Sequence, residues 1–208
     1  TGKRREVVPG VPGEENHDVS REIVVSRKGK VYTYRGSEEP QYRAQTNEVW
    51  AYDIAKDTMT HTGQLLKAGF WNGQAQTKDR SKIYLSTVSG ELYVLDVESE
   101  RFTDLGIFID PYDYRGYRHY RIHYLYGISL TAAEDSLLGV PIITSNYGNG
   151  SDRTRLVTYN IASRTFAKRS GDMARAVFTG SNHRDKSGRI YMSAFDWDTN
   201  CYLAAITP

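Results

Sequence analysis

The sequence predicts an all-β protein in which antiparallel sheets of similar length follow one another along the chain. First, a polar turn leads into a short strand-like phrase that begins at Lys30, Lys82, Leu137 and Arg189, at intervals of 52, 55 and 52 residues. Second, an apolar residue, Asp or Asn, a β-branched residue, four mostly polar residues and a large apolar residue recur at 52–59, 95–102 and 159–166. Third, helix-favouring blocks are scarce, whereas tyrosine is frequent. A fixed period of this length made of short strands is typical of a β-propeller.

Each repeat predicts one blade, a four-stranded antiparallel sheet, and four blades are recognisable in one domain that spans 1–208. The expected units are 19–66, 70–108, 122–170 and 174–208. The fourth unit lacks a fourth strand, and 1–8 has no unit of its own, so 1–8 is a candidate closing strand. Closed propellers often build one blade from both chain ends, which removes exposed sheet edges. The blades form either a small closed ring or part of a propeller of about six to eight blades, which further blades or another chain would complete.

In the first two units, short apolar runs bounded by Gly, Asp and Ser indicate strands. In the first unit these are 23–25, 31–34, 49–52 and 59–65. In the second they are 74–78, 82–87, 91–97 and 101–107.

The third unit follows a tyrosine-rich insertion, and its predicted strands are 122–130, 137–144, 155–161 and 165–169. The fourth unit has strands at 176–178, 190–192 and 202–203. Residues 196–200 resemble the start of a calcium loop, but Cys201 stands where that loop needs Gly. We therefore interpret 196–200 as a hairpin turn.

The Asp or Asn of the second phrase has a structural interpretation. Asp53, Asp96 and Asn160 each stand where a third strand runs into a turn. Their side chains can accept backbone N–H groups there and fix the hairpin.

Composition excludes several classes of function. The formal net charge is only +2, from 27 basic and 25 acidic residues, so nothing draws the chain to nucleic acid or to an anionic membrane. No apolar run approaches the ~20 residues of a membrane-spanning helix. Cys201 is the only cysteine, so no disulfide forms within the chain. The compartment stays open, and a periplasmic or secreted location is the favoured expectation.

Two segments resemble units of known propellers. EVWAYDIAKDTMTHTGQL (48–65) and ELYVLDVESERFTDLGIF (91–108) are similar to outer hairpins of Kelch-like and lactonase-like propellers, which often combine an aromatic residue, a hydrophobe, an Asp, a polar turn and a closing Gly. The Kelch double glycine and the tryptophan-docking repeat of quinone-dependent dehydrogenases are both missing. The resemblance thus implies a propeller fold without a single matching family, and it implies no quinone. We expect no cofactor and no metal.

The innermost strand of each blade lines the central channel of a propeller, and the loops that lead into it share one face of the ring, where function usually lies. This arrangement would gather residues from distant parts of the chain. The ligand-binding candidates are His17, Arg21, Trp71, Asn72, Tyr117, His119 and Arg175. Several cations beside a Trp would suit an anionic sugar or a peptide carboxylate. The alternative is that these are ordinary polar loop residues.

The densest local feature is PYDYRGYRHYRIHYLYG (111–127). On a strand, Tyr117, His119, Arg121 and His123 would project to one side. For β-elimination on a uronate, Arg121 would neutralise the carboxylate while His123 or Tyr124 carries the proton. The alternative is an insertion between blades whose tyrosines cover apolar surface. His119 and His123 have a metal-pair spacing only on a helix, so zinc is not expected.

Two functions therefore remain open. The leading hypothesis is a binding or scaffolding module that holds a protein partner or an acidic glycan on its ring face. The alternative is a propeller-type lyase that acts on uronate-containing polysaccharide, so the sequence leaves enzymatic activity undecided.

Overall fold

The computed structural model describes 24–35, 46–67, 71–87, 91–107, 120–145, 153–154, 156–168, 173–174, 177–195 and 201–206. Regular structure within these ranges is entirely β. The strands are β1 Lys30–Arg35, β2 Thr46–Asp53, β3 Thr58–Lys67, β4 Trp71–Gln76, β5 Lys82–Thr87, β6 Glu91–Asp96, β7 Arg101–Ile107, β8 Tyr120–Leu130, β9 Ser136–Ser145, β10 Arg153–Thr154, β11 Val157–Asn160, β12 Thr165–Lys168, β13 Met173–Ala174, β14 Val177–Arg184, β15 Ile190–Phe195 and β16 Cys201–Ile206. In these ranges we find no helix of the length and apolarity that a membrane span requires.

The strands form four antiparallel sheets in chain order. The first sheet is β1-β2-β3, the second is β4-β5-β6-β7 and the fourth is β14-β15-β16. In the third sheet β8, β9, β11 and β12 repeat the order of the second, while the short strand β10 pairs with the second half of β9, at Ile142 and Ile143, and β13 pairs with β10. The all-β prediction is confirmed, and two consecutive units contain the predicted four-stranded antiparallel arrangement.

Two details differ from the prediction. Val24 and Val25 lie outside any strand, since Val25 directly precedes the turn at Ser26 and its carbonyl accepts from the side chain of Arg80. The strands β10 and β13 were not predicted, because each contains only two residues and shows no periodicity. The segments 1–8 and 196–200 lie outside the described residues, so the closing strand and the hairpin turn stay predictions.

The predicted role of the repeated Asp or Asn is confirmed. The Oδ1 atom of Asp53 accepts the N–H of Lys56 at 3.1 Å, Oδ1 of Asp96 accepts that of Ser99 at 2.8 Å, and Oδ1 of Asn160 accepts that of Ser163 at 2.9 Å. These bonds close the turns that lead into β3, β7 and β12. Four residues after the cap, the backbone turns left-handed each time, with φ of 53°, 56° and 54° at Asp57, Glu100 and Arg164.

Apolar side chains fill the space between consecutive sheets. One cluster joins the first and second sheets and centres on Tyr32, Val49, Trp71 and Leu95. A second cluster joins the second and third sheets through residues such as Leu92, Ile128, Leu137 and Tyr159. Burial of such side chains contributes roughly 1.5–3 kcal/mol each, so these interfaces supply much of the stability. The sheets therefore lie side by side in chain order.

Polar contacts between turns reinforce the same order. The guanidinium of Arg80, in the second sheet, donates to the carbonyl of Val25 at 3.2 and 2.8 Å. The backbone N–H of Lys78 donates to Oε1 of Glu134, before the second strand of the third sheet, at 2.6 Å. The guanidinium of Arg184, in the fourth sheet, lies 3.6 Å from the same carboxylate. Each sheet is thus joined to the next near the turns that lead into β1, β5, β9 and β15.

Candidate functional site

The fold has two unlike ends. One end, here called the turn face, carries the turns that lead into β1, β5, β9 and β15 (26–29, 77–81, 131–135, 185–189) and the turns that lead into β3, β7 and β12 (54–57, 97–100, 161–164). These two sets of turns are hydrogen-bonded to each other. The N–H groups of Ile54, Val97 and Ile161 donate to carbonyls in the first set at 3.1, 2.9 and 3.0 Å.

Carboxylates of the turn face are occupied by structural hydrogen bonds. The Thr77 hydroxyl and the N–H and hydroxyl of Ser81 bind Asp79 and lower the pKa of its carboxyl to about 2. The pKa of Asp185 is lowered mainly by the hydroxyl of Ser187, and the pKa of Asp96 mainly by the N–H of Ser99. These groups stay ionised and fixed at neutral pH. They suit the closing of turns rather than proton transfer, which needs a pKa near the working pH.

The opposite end, here called the loop face, is where the strands end at Arg35, Lys67, Thr87 and Phe195 and where β4 and β8 begin. The segments that join second to third strands and one sheet to the next leave the sheets at this end. They vary in length, from three residues at 88–90 to twelve at 108–119, and none of these connections is among the described residues. Loops of variable length on a regular scaffold are the usual location of binding residues.

The sequence candidates divide into two groups. Trp71 and Asn72 open β4, and Arg121, His123 and Tyr124 lie in the first half of β8. The remaining candidates, His17, Arg21, Tyr117, His119 and Arg175, lie outside the described residues. β4 packs directly against β8, and both strands begin at the loop-face end.

Trp71 has a structural role. Its side chain is 1 % exposed, and its ring lies 5.0 Å from that of Tyr34 and 5.9 Å from that of Phe102. Its indole N–H finds no hydrogen-bond acceptor among the described residues. The ring belongs to the core between the first and second sheets, and a ligand contact by Trp71 stays a prediction.

A feature that the sequence analysis missed is a bulge at equivalent positions in three first strands. Pairing with the second strand skips Asn72 in β4, Gly127 in β8, and the pair at 180–181 in β14. Each bulge precedes the following turn by four or five residues. The glycines near these positions, which recur in the phrases WNG, LYG and FTG, were the available signal. Bulges bend a strand and redirect its side chains, and they are frequent beside active sites.

Strand β8 carries a second bulge at His123. Ile122 pairs with Ile143 and Tyr124 pairs with Ile142, so His123 faces no partner on β9. The prediction that Arg121 and His123 lie on one side of the strand assumes that side chains alternate regularly. The bulge at His123 interrupts this alternation. Their relative orientation stays a prediction, but all three lyase candidates lie on one short segment of the strand nearest the neighbouring sheets.

Buried tyrosines of the described sheets hold their protons. Desolvation raises the pKa of Tyr93 to about 12 and also raises the pKa of Tyr32 and of Tyr84. The hydroxyl of Tyr93 accepts the N–H of Lys67 at 3.2 Å, and that of Tyr159 donates to the carbonyl of Leu105 at 2.9 Å. Such phenols serve packing between sheets and not as bases at neutral pH.

No protein-family model matches this sequence, and a search of curated proteins finds no match. Solved structures are similar in fold. A structural genomics protein of unknown function from Bacteroides thetaiotaomicron aligns over 86 % of this chain and 42 % of its own, with 15 % identity and a TM-score of 0.51. The tricorn protease aligns over 88 % of this chain and 16 % of its own, with 11 % identity and a TM-score of 0.50.

The comparisons and the sheets together define the class of the chain. It is an all-β protein with a propeller-like fold of antiparallel sheets. The chain spans less than half the length of either similar structure, and at these identities the likeness concerns the fold alone.

Proposed function

We propose that the chain is a binding module that holds a protein or a glycan on its loop face. The observation that carries this proposal is the repeated bulge of β4, β8 and β14. Three equivalent strands depart from regular pairing at the same level, and β8 contacts both of the others. A shared irregularity of this kind costs ladder hydrogen bonds, and natural proteins retain it where it redirects side chains toward a site.

The contrast between the two faces supports the same conclusion. The turns at 54–57, 97–100 and 161–164 follow one pattern, with a capping carboxylate or amide and a left-handed residue in each, so they are explained by folding alone. Connections of the loop face follow no common length. In binding proteins the loops can differ in length while the sheets stay the same, because the loops determine which ligand is bound.

The candidates that the sequence assigns to the ring face favour a ligand with negative charge. Arg21, Arg121 and Arg175 stand at or near the beginnings of three different predicted units, together with His17, His119 and His123. Arginine pairs with carboxylates through two parallel hydrogen bonds, which gives both energy and orientation. An acidic glycan or an acidic segment of a protein partner fits this set.

A lyase is the second candidate, and the bulge at His123 is the observation that favours it. In such a reaction Arg121 would pair with the uronate carboxylate, and His123 or Tyr124 would remove the proton at the adjacent carbon. The bond to the leaving oxygen then breaks and a carbon–carbon double bond forms, with a proton returned to the leaving oxygen. Bulged residues are well placed to aim a side chain away from the ladder.

The experiment compares binding by wild-type protein with binding by loop-face and turn-face variants. Probes are acidic and neutral oligosaccharides of equal length and a lysate for capture of protein partners. We expect Arg121→Ala and Asn72→Ala to weaken retention of the ligand, and Arg189→Ala, an exposed turn-face control, to leave it unchanged. Equal retention by all variants, or no retention by wild-type protein, contradicts the proposal.

The same samples separate the lyase from the binding module. A lyase produces the absorbance of unsaturated uronate when wild-type protein meets acidic polysaccharide, and His123→Ala abolishes it without a change in melting temperature. Retention without this absorbance eliminates the lyase and keeps the binding module.

A further inference from the structure

A second, polar cleft lies away from the loop face, between β2 and β3 of the first sheet and the β6–β7 turn of the second. Its volume is about 380 Å³, and small-molecule sites typically measure roughly 300–1,000 Å³. It opens near the turn face, so its residues are distinct from those of the proposed function. No aromatic side chain is among the described residues that line it.

One wall of the cleft is a row of hydroxyl groups. Thr58 and Thr60 alternate along the regularly paired part of β3 and therefore lie on the same side of the strand, and Thr62, in the irregular part, lines the same cleft. The hydroxyl of Thr62 donates to the carbonyl of Val49 at 2.9 Å. Those of Thr58 and Thr60 belong to exposed residues and have no hydrogen-bond partner among the residues that the structure describes. Two adjacent hydroxyls are thus available to a ligand as donors and acceptors.

The opposite wall is held rigidly by contacts between the sheets. The side-chain amide of Gln64 donates to the carbonyl of Glu100 at 2.8 Å and accepts the N–H of Phe102 at 2.9 Å. The ammonium group of Lys30 donates to both carboxylate oxygens of Glu100 at 2.7 and 2.8 Å. These bonds fix the β6–β7 turn against the first sheet, so the cleft is formed before any ligand arrives.

The charges that line the cleft leave one cation in excess. Glu100 is paired with Lys30, and Asp53 lies 3.3 Å from the ammonium group of Lys56. Arg101 is exposed and forms no ion pair or hydrogen bond within the described part of the chain. An unpaired guanidinium can donate two parallel hydrogen bonds to the oxygens of one carboxylate.

We propose that this cleft binds an acidic sugar unit, with its carboxylate on Arg101 and its ring hydroxyls on Thr58 and Thr60. The cleft thus contains one unpaired guanidinium and two free hydroxyl groups. This set matches a ligand that carries one carboxylate and several hydroxyl groups. The volume accommodates about two sugar rings by comparison with ordinary ligand pockets. A phosphate ion shares the negative charge but would leave the hydroxyl row unused.

The test is isothermal titration of the folded protein with a digalacturonate, with the corresponding neutral disaccharide and with inorganic phosphate. We expect the acidic disaccharide to bind at the cleft. The variant Arg121→Ala, which changes the loop face, should keep this binding unchanged. We expect Arg101→Ala to weaken this binding about tenfold, as loss of a charge-assisted pair does. Thr60→Val should weaken it less, and the neutral disaccharide should bind wild-type protein as weakly as the acidic one binds Arg101→Ala.

Matched controls are Arg189→Ala and Thr103→Val, which change the same residue types at exposed positions outside the cleft. Arg101→Gln serves as a second variant if Arg101→Ala melts at a lower temperature. Phosphate that binds as tightly as the acidic disaccharide overturns the assignment to a sugar. Equal affinities of wild-type protein, Arg101→Ala and Arg101→Gln overturn the site itself, and neither result bears on binding at the loop face.

Discussion

Gly188 provides the sharpest test of how the third and fourth sheets meet. Its backbone is left-handed, with φ of 87°, and a Cβ at this position would lie 2.9 Å from the Cβ of Ala132 in the neighbouring sheet. Ordinary carbon–carbon contacts are about 3.5–4.0 Å. Gly188→Ala therefore introduces two penalties, one from the local conformation and one from contact between sheets.

Gly29 separates the two penalties. It occupies the corresponding turn of the first sheet with φ of 71°, and an added Cβ would meet nothing within 4 Å. Gly29→Ala should cost about 1–2 kcal/mol of unfolding free energy from the left-handed backbone alone. Gly188→Ala should cost that amount and a further ~1–3 kcal/mol from overpacking.

The assay is chemical denaturation followed by tryptophan fluorescence, with the double variant Gly188→Ala/Ala132→Gly included. Removing the Cβ of Ala132 should recover the additional penalty, and the left-handed strain should remain. Equal losses in Gly29→Ala and Gly188→Ala, or a double variant no more stable than Gly188→Ala, would show that these turns do not pack as described.

Three further predictions concern contacts between and within sheets. Arg80→Ala removes both hydrogen bonds to the carbonyl of Val25 and should lower unfolding free energy by about 1 kcal/mol in urea titrations. Tyr159→Phe leaves the carbonyl of Leu105 without its buried donor and should cost about 1–2 kcal/mol in the same assay. The lowered pKa of Asp79, about 2 against 3.8 ordinarily, contributes stability above pH 4 that is lost as pH falls toward 2. Thermal melts of Asp79→Asn should accordingly fall less steeply over that range than those of wild-type protein.

Strands and capped turns were predictable because their signals are local. Alternating apolar residues placed β5, β6 and β7 within about one residue of their observed bounds. The caps at Asp53 and Asp96 follow from side chains that reach backbone groups two or three residues away. Such interactions join residues that are close together in the sequence, so they can be predicted from the sequence alone.

Contacts between sheets were not predictable because their partners are remote in sequence. Gln64 binds Phe102, and Arg80 binds the carbonyl of Val25, across separations of 38 and 55 residues. No local pattern marks either pair. The cleft beside Arg101 was missed for the same reason, since its walls come from two different sheets.

The candidate site was predicted only in outline. Trp71 is a candidate because it stands at the entry to the second unit; its ring lies in the core between two sheets, and a ligand contact by Trp71 stays a prediction. The bulges that interrupt β4 and β8 depend on pairing with β5 and β9, and this pairing is invisible in the alternation of one strand. Where a strand departs from regular geometry, side-chain direction no longer follows from counting residues.

Carbodiimide cross-linking of the folded protein, followed by mass spectrometry, tests most directly whether the sheets lie side by side in chain order. We expect links from Lys30 to Glu100 and from Lys67 to Asp104, which join the first and second sheets, since these pairs lie 2.7 and 3.2 Å apart. A link from Lys78 to Glu134, which joins the second and third sheets, is also expected, because the ammonium group of Lys78 donates to the carbonyl of Ala132, two residues from Glu134. Links from Lys30 or Lys67 to Glu134, without those to Glu100 and Asp104, would contradict this order, because they would place the third sheet directly against the first.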